Sequence, residues 1–191
     1  MPGTTWHKQV LAHGVTMTSG SKHDSRGIVS MHVLKVNLAA KNIGLKPLVH
    51  SLAERSPLST LAQGHPEEVA VTNTGYFDFR TGAPTQPLIS QRSPLVISSA
   101  HQEVVGIGTN GRMEAGPVWW SALLTAGSRT HSVVAKNELD PPSGLAMYTP
   151  KWGSTPVPIG WRNNSEVRQV VDGVASKVSG NDWGVKVPSN G

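Results

Sequence analysis

The sequence has no cysteine, few charged residues and no long hydrophobic run. The lack of cysteine excludes a disulfide scaffold, a thiolate nucleophile and cysteine metal sites. Only 15% of the residues are Asp, Glu, Lys or Arg, against about 25% in average proteins, which argues against a disordered polyelectrolyte or a charge-coated helical bundle. The longest apolar-leaning stretch, 116–127, is far shorter than the roughly 20 residues of a transmembrane helix. We therefore expect a soluble protein built mainly of strands and turns.

The length and composition allow one packed domain. The chain has 191 residues, 37% of them hydrophobic, and 20 glycines bring the apolar share into the ordinary globular range. We expect an N-terminal arm over residues 1–10 and a single domain over residues 11–191.

The net charge is basic, but its distribution does not favour a nucleic-acid partner. The 17 Lys and Arg against 12 Asp and Glu give a formal charge of +5 and an isoelectric point of about 9.7. The positive residues are scattered from Lys8 to Lys186 and form no consecutive run. No stripe that could track phosphates is visible, so we predict no nucleic-acid partner.

Short apolar runs separated by turn residues predict a β-rich fold. The clearest run is 29–38, whose apolar residues occupy both faces and predict a strand buried on both sides. Asn110-Gly111 and Asp172-Gly173 predict two hairpins, because these dipeptides accept the positive φ angles of a two-residue turn. Further strands are predicted at 43–49, 69–72, 94–98, 104–108, 132–135, 145–148, 167–171 and 174–178.

One segment has the end signals of a helix. Ser56 can cap it, Pro57 suits the first helical position, and Gly64 provides a stop. Leu58 and Leu61 are predicted to form its buried face.

The segment 116–127 fits either a helical face or a strand, and we interpret it as a strand. The expected fold class is therefore α+β, with a β-rich mixed or antiparallel sheet and one or two short helices.

The eight histidines do not form a local metal site, because no two of them lie two or four residues apart. The sequence also has no Gly-x-Ser-x-Gly elbow, no Walker loop and no Rossmann glycine fingerprint. We predict no metal site and no cofactor, and leave open a divalent metal bound by residues distant in sequence.

The segment 69–84 contains the best candidates for a functional site. Its candidate residues are Asn73, Gly75, Tyr76, Phe77 and Asp78. They follow a predicted strand, and a rigid scaffold presents its sites at such strand ends. Asn73 can donate and accept hydrogen bonds, Gly75 lets a ligand approach the backbone, and the aromatic rings offer a flat face to a sugar. Equally, Asn73 and Asp78 could tie the turn while the aromatic residues fill the core.

Several segments spread over residues 10–190 match, in order, the pattern of a known family. They are an apolar-Gly-Val entry at 11–15, a long strand at 31–38, Asn-Thr-Gly-Tyr-Phe at 73–77, Gly-Ile-Gly-Thr-Asn-Gly at 106–111, Asn137, Tyr-Thr-Pro at 148–150 and a hairpin at 166–174. In this ordered set the chain resembles the N-terminal portion of the phosphodiester glycosidases.

The resemblance implies hydrolysis of a sugar-1-phosphodiester by an N-acetylglucosaminidase-like reaction. The implied catalytic residues are Asp78 and Asn73. The implied substrate-binding residues are Gly75, Tyr76, Phe77 and Asn137. We assign Asp78 as the catalytic acid or electrostatic stabiliser because of its place at the exit of the predicted strand.

Three departures from the family pattern accompany the resemblance. Thr74 stands where the family has a glycine, and threonine allows a smaller range of backbone φ and ψ angles than glycine does. The stretches 101–103 and 138–140 lack two arginines that the family often has, although a guanidinium group suits a phosphodiester. The family also continues to an Asp-Gly-Gly-Gly-Ser motif that this sequence does not reach, so we expect the domain to be truncated at its C-terminus.

These departures leave a second interpretation open, a noncatalytic glycan-binding or structural module of a cell envelope or phage particle. Six tryptophans against two Phe and two Tyr suit either sugar stacking or core filling. In both interpretations the partner is a carbohydrate or sugar phosphate, with no nucleic acid and no membrane span. Family members are typically exported, whereas the first residues lack the apolar core of a signal peptide, so the sequence assigns no compartment.

Overall fold

The structure is a computed structural model that describes residues 5–98, 102–108, 110–157, 167–171 and 174–178. Over these residues the fold is mainly β, with one short α-helix, and most strand pairs are antiparallel. The strands are β1 Thr5–Ala12, β2 Val15–Asp24, β3 Gly27–Val36, β4 Leu88–Ser90, β5 Ser93–Ser98, β6 Gln102–Ile107, β7 Met113–Val118, β8 Ala122–Ala126, β9 Arg129–Lys136, β10 Leu145–Met147, β11 Val167–Val171 and β12 Val174–Val178. The helix α1 is Leu58–Gln63, and Pro150–Trp152 form a 3-10 turn. No helix of the described residues is both long and apolar enough to cross a membrane.

Strands β1, β2 and β3 form an antiparallel meander. Residues 5–10 of the predicted arm belong to β1, which pairs with β2 from Thr5↔Ser21 to Ala12↔Val15. The β2–β3 register runs from Val15↔Val36 to Asp24↔Gly27. Thus the N-terminal residues of the described chain are part of a sheet.

The prediction that the 29–38 strand is buried on both sides is wrong. Strand β3 covers most of this segment, but Val29 and Val33 are 43% and 54% exposed. The neighbouring strand β2 presents mainly Thr, Ser, Lys and Gly, so it offers few apolar side chains against which β3 could pack. An apolar pattern on both faces shows what a strand could bury, whereas actual burial depends on layers supplied from elsewhere in the chain.

The largest sheet has the order β10-β9-β5-β4, with β8 also paired to β9. β10 runs parallel to β9, while β5 and β8 run antiparallel to it, so this sheet is mixed, as expected. The buried residues Val96, Ile97, Val133 and Ala135 come from its central strands. This sheet therefore supplies a large part of the hydrophobic core.

A second part of the core surrounds Trp152, which is fully buried. It packs with Ala53, Ala83 and Val157, and its ring meets the edge of the Tyr148 ring at a centroid distance of 5.0 Å. We call these residues the Trp152 cluster. It brings together segments that are distant in sequence. The segment of Ala83 carries candidate site residues, and Leu139, two residues after Asn137, packs against the cluster.

Two strand predictions, 43–49 and 69–72, are wrong, because neither segment belongs to a strand in the structure. The first contains Pro47, which lacks a backbone N–H group and cannot donate to a ladder. Apolar residues of both segments instead line a groove beside the meander. The other predicted strands correspond to β5, β6, β9, β10, β11 and β12.

Both predicted hairpins are present, as β6–β7 and β11–β12. The first is closed by a longer loop than expected, since Gly108 N donates to Arg112 O and Gly111 N donates to Gly108 O. Gly111 has a φ of +74°, which suits a three-residue loop closed by a left-handed glycine. The Asp172-Gly173 turn lies outside the described residues.

The helix begins one residue later than predicted. Pro57 occupies the cap position, and no side chain caps the helix, so Ser56 does not have the expected role. Leu58 and Leu61 are only partly buried. The segment 116–127 contains the end of β7 and all of β8, which confirms its interpretation as strand.

Candidate functional site

Residues 76–85 form a tight hairpin loop, which we call the aromatic hairpin. Thr85 N donates to Tyr76 O at 3.1 Å, and Asp78 N donates to Ala83 O at 2.9 Å. Gly82 N closes the tip by donating to Asp78 O at 2.7 Å. Gly82 has a φ of +80°, and a Cβ atom there would lie 2.7 Å from the backbone of Glu54, so only glycine fits without strain. This close approach fixes the hairpin against the body of the protein.

The aromatic residues of the hairpin face solvent. Tyr76 is 79% exposed and Phe79 is 77% exposed, and the Phe77 and Phe79 rings lie 5.1 Å apart. The alternative in which these aromatic residues fill the core is therefore wrong. Exposed rings on a fixed loop are suited to stacking against a ligand with a flat apolar face.

Asn73 and Gly75 lie on the approach to the hairpin. No strand lies directly before them, because residues 69–72 are not in a strand, so the predicted setting at a strand end is not found. Both residues are exposed. Gly75 has a φ of +64°, a left-handed conformation that favours glycine. Both residues remain accessible beside the exposed aromatic rings.

Asp78 ties the tip of the hairpin. Its Oδ1 atom accepts hydrogen bonds from Thr81 N at 2.7 Å, Thr81 Oγ1 at 2.8 Å and Arg80 N at 3.1 Å. The Thr81 hydroxyl is the largest cause that lowers the pKa of Asp78, followed by the backbone N–H of Thr81. Because the carboxylate is held in its charged form, Asp78 suits an electrostatic role better than the donation of a proton.

We expect the free energy of unfolding of Asp78→Asn to fall less than that of the wild type as the pH is lowered. The pKa of Asp78 is lower in the folded than in the unfolded chain, so the carboxylate stabilises the fold above about pH 4 and this contribution is lost at lower pH. Urea unfolding between pH 6 and pH 2.5 measures the effect. The difference in the free energy of unfolding between the wild type and the variant is expected to decrease as the pH falls.

Thr81→Val is the matched control, since it removes the hydroxyl that contributes most to the lowered pKa. This variant keeps the Asp78 carboxylate, but its free energy of unfolding is expected to depend less on pH than that of the wild type. A constant difference between the wild type and Asp78→Asn over the whole pH range would contradict this role of Asp78.

Asn137 is fully buried at the end of β9, with a φ of +50°. Its Nδ2 donates to Leu95 O and to Thr149 Oγ1, both at 2.9 Å. Its Oδ1 accepts from Thr149 N at 2.7 Å, and its own N–H donates to Met147 O. The amide group thus joins β5 to the ends of β9 and β10, and both of its N–H donors are used within the fold.

The hairpin and the segment that follows Asn137 pack around the same part of the core. Ala83 of the hairpin belongs to the Trp152 cluster, and Tyr148 packs against that cluster. Tyr148 OH donates to the backbone carbonyl of Glu138, the residue after Asn137. Within the described ranges, no hydrogen bond joins Asn137 to residues 73–78.

Glu138 is a candidate that the sequence analysis did not select. It is partly buried, and its Oε2 atom is inaccessible to solvent without a hydrogen-bond partner in the described structure. Burial is the main cause that raises the pKa of Glu138; a hydrogen bond from Ser98 opposes this shift and the charge of Asp140 adds to it. The only signal in the sequence is that a carboxyl group follows Asn137, where the resembled family often has an arginine.

A second titratable cluster lies at the groove beside the meander. Ligand atoms of His65, Glu67 and Glu68 lie within 4.8 Å of one another, which is close enough to hold a metal ion. However, Lys46 Nζ lies 2.9 Å from Glu67 and 2.7 Å from Glu68, and it lowers the pKa of Glu67 to about 2. Because the Lys46 ammonium group already pairs with both carboxylates, the cluster is accounted for as an ion-pair network.

The groove itself has a volume of about 430 Å³ and is lined mainly by apolar side chains. Val15, Leu34 and Val36 of the meander form one wall, and the segments 42–46 and 67–70 form the other. None of the residues of the aromatic hairpin and none of the predicted site residues line it.

The sequence matches no protein-family model and no curated protein. The fold is similar to the crystal structure of a hypothetical protein from Synechocystis, with a TM-score of 0.73 and 21% sequence identity. The similarity covers 97% of this chain and 36% of that chain, so the protein spans about a third of the length of its structural neighbour. At this identity the similarity shows a shared fold.

Proposed function

We propose that the chain acts on sugar-1-phosphodiesters, as the resemblance to the phosphodiester glycosidases implies, and binds the sugar at the aromatic hairpin. The observation that carries this proposal is the exposure of Tyr76 and Phe79 on a loop held rigid by Gly82 and Asp78. Pyranose rings have an apolar face that stacks on aromatic side chains, while polar groups nearby bind their hydroxyls. Asn73 offers such a polar group beside the hairpin.

Two carboxyl groups with opposite pKa shifts support hydrolysis. The environment lowers the pKa of Asp78 and raises that of Glu138, a combination that keeps one group ionised and favours the protonated form of the other. Both groups lie on segments that pack around the Trp152 cluster. Asp78 would stabilise the positive charge that develops on the sugar, and Glu138 would donate a proton to the leaving group.

In the proposed reaction the bond between sugar C1 and the phosphate oxygen breaks, and water supplies the new hydroxyl group at C1. Glu138 donates its proton to the departing phosphate oxygen, and the proton lost by water goes to solvent. A protonated Glu138 can hydrogen-bond to the phosphate, whereas an ionised carboxylate would repel it. A phosphate departs with little protonation, so most of the catalytic effect is expected from binding and charge stabilisation.

We expect Glu138→Gln to slow sugar release by about 100-fold, at the lower end of the usual effect of general acid catalysis. The measurement is release of free N-acetylglucosamine from uridine diphosphate N-acetylglucosamine by the 191-residue chain, from pH 5 to pH 9. Because burial raises the pKa of Glu138, the wild-type rate is expected to fall as the pH rises through that pKa, and the variant is expected to lack that decline. Glu114→Gln, on the exposed strand β7, is the control and should match the wild type. Equal rates for the wild type and Glu138→Gln would contradict the role of Glu138.

A second candidate function is glycan binding without hydrolysis. It is favoured by the internal use of two predicted site residues, because the Asn137 amide is committed to the fold and Asp78 Oδ1 already accepts three hydrogen bonds. The sugar-release assay separates the two candidates. Binding of the sugar nucleotide with no sugar release at any pH would support the binding module and contradict the enzyme.

A further inference from the structure

The meander has a solvent-facing side that contains none of the residues discussed as a site above. We call it the Trp6 face; it consists of residues 6, 8 and 10 of β1, residues 16, 18, 20 and 22 of β2, and residues 29, 31, 33 and 35 of β3. The register places these residues on one side, since Trp6 pairs with Gly20 and Gly20 pairs with Met31. The opposite side carries Val15, Leu34 and Val36, which line the groove. The two sides of this sheet therefore have different surroundings.

Trp6 forms an aromatic platform at the centre of this face. A Cβ atom placed on Gly20 would lie 2.5 Å from Trp6 Cε3 and 2.8 Å from Trp6 Cδ2, so the indole lies directly over the glycine. The Trp6 side chain covers the bare backbone of Gly20 and is still 49% exposed. An indole supported in this way presents an apolar surface to solvent without needing to rearrange.

Lysines flank the platform on both sides. Lys8 lies two residues from Trp6 on β1, and Lys22 lies two residues from Gly20 on β2, each about 7 Å along its strand. Lys35 stands on the same face of β3. None of the three forms an ion pair with a described residue. Asp24, two residues beyond Lys22 on β2, pairs with Arg26 at the end of the hairpin. The face therefore carries an excess of positive charge.

The remaining side chains of the face combine apolar and hydroxyl groups. Val10 and Val33 are exposed, while Thr16 and Thr18 lie between them on the central strand. Hydroxyl groups can both donate and accept hydrogen bonds, and the valines provide apolar contact. This mixture matches the surface of a sugar chain, which alternates apolar ring faces with hydroxyl groups.

We propose that the Trp6 face binds an anionic polysaccharide, with Trp6 stacked on a sugar ring and Lys8 and Lys22 contacting acidic groups on either side. Charge complementarity selects an anionic partner, and the single indole favours a polysaccharide over single-stranded nucleic acid. Proteins that track a nucleic-acid strand stack successive bases on several aromatic side chains, whereas this face has one. The inference goes beyond the proposed hydrolysis and does not depend on it.

The test is a calorimetric titration of the whole chain with phosphomannan, a polysaccharide that carries phosphodiesters, and with neutral mannan. We expect saturable binding of phosphomannan that weakens as salt is added, and weak or no binding of neutral mannan. Trp6→Ala and the double variant Lys8→Glu, Lys22→Glu are each expected to lower the affinity about tenfold or more, which corresponds to about 1.4 kcal/mol. Circular dichroism and thermal unfolding check that both variants are folded.

Two control variants lie off this face. Trp119→Ala removes another exposed tryptophan, and Lys41→Glu reverses another exposed lysine, and both should bind phosphomannan like the wild type. Polygalacturonate, an anionic polysaccharide without phosphodiesters, should also bind the Trp6 face and lose affinity in Trp6→Ala. Because it is not a substrate of the proposed hydrolysis, failure of that hydrolysis is distinguishable from failure of this inference.

The inference is overturned if folded Trp6→Ala and the lysine double variant bind as the wild type does. It is also overturned if neutral mannan binds as tightly as phosphomannan, because charge then plays no part. Tighter binding of a 20-nucleotide oligothymidylate than of phosphomannan would overturn it in favour of a nucleic-acid partner.

Discussion

Replacement of Asn137 by alanine is expected to lower the free energy of unfolding by about 4 kcal/mol. The substitution removes three side-chain hydrogen bonds at a partly buried site, those with Leu95 O, Thr149 Oγ1 and Thr149 N. Each buried group left unpaired costs about 1–3 kcal/mol. Asn137 also has a φ of +50°, a conformation that alanine adopts less readily than asparagine. Urea unfolding measures the change.

Asn42→Ala is the matched control for this experiment. Asn42 has a φ of +64° but is exposed, so its replacement should cost only about 1 kcal/mol or less, from the left-handed conformation. Asn137→Gly should remain strongly destabilised, because glycine accepts the backbone conformation but cannot replace the hydrogen bonds. A loss below 1 kcal/mol for Asn137→Ala, together with weaker sugar binding, would instead identify Asn137 as the substrate contact implied by the family resemblance.

The double variant Tyr76→Ala, Phe79→Ala is expected to lower the affinity for uridine diphosphate N-acetylglucosamine by at least about fivefold. Each stacked ring contributes about 0.5–1.5 kcal/mol beyond the area it buries, and two rings together give 1 kcal/mol or more. Both side chains are largely exposed, so the free energy of unfolding should change by only about 0.5 kcal/mol. Isothermal titration calorimetry and urea unfolding measure the two quantities.

Trp119→Ala provides the comparison, since Trp119 is 76% exposed and lies outside the hairpin. Its affinity for the sugar nucleotide should equal that of the wild type. An equal loss of affinity in Trp119→Ala and in the double variant would show that the hairpin has no particular role.

The sequence was informative where a strand and its partner are close along the chain. The β6–β7 and β11–β12 hairpins were predicted from local turn residues, because the dipeptide and the two flanking runs contain all of the needed signals. The runs 43–49 and 69–72 have comparable apolar content, yet neither forms a strand. Whether such a run joins a sheet depends on an available partner strand, which is a property of the tertiary fold.

The candidate site was predicted only in part for the same reason. The hairpin residues Tyr76 and Asp78 were selected from a local pattern, although the expected strand directly before them is absent. The internal role of Asn137 depends on Leu95 and Thr149, which are 42 and 12 residues away. The unpartnered Oε2 of Glu138 likewise results from packing that no local pattern shows.

The Trp6 face gives a further example. Apolar residues on both faces of β3 predicted complete burial, but one face of the meander is open and the other lines a groove. The support of Trp6 by Gly20 depends on the β1–β2 register, which the sequence analysis did not assign. Local patterns thus identified the apolar run of β3, whereas the sheet pairing determined which side chains lie beside Trp6.

The most direct test of the central claim is to map where the sugar nucleotide binds on the wild-type chain. Backbone amide NMR signals would be followed while uridine diphosphate N-acetylglucosamine is added at a pH where sugar release is slow. The account predicts saturable shifts that are largest for residues 75–85, with smaller shifts near Glu138. Largest shifts on the Trp6 face or along the groove, or no saturable shift at millimolar ligand, would contradict the assignment of the aromatic hairpin as the sugar-binding site.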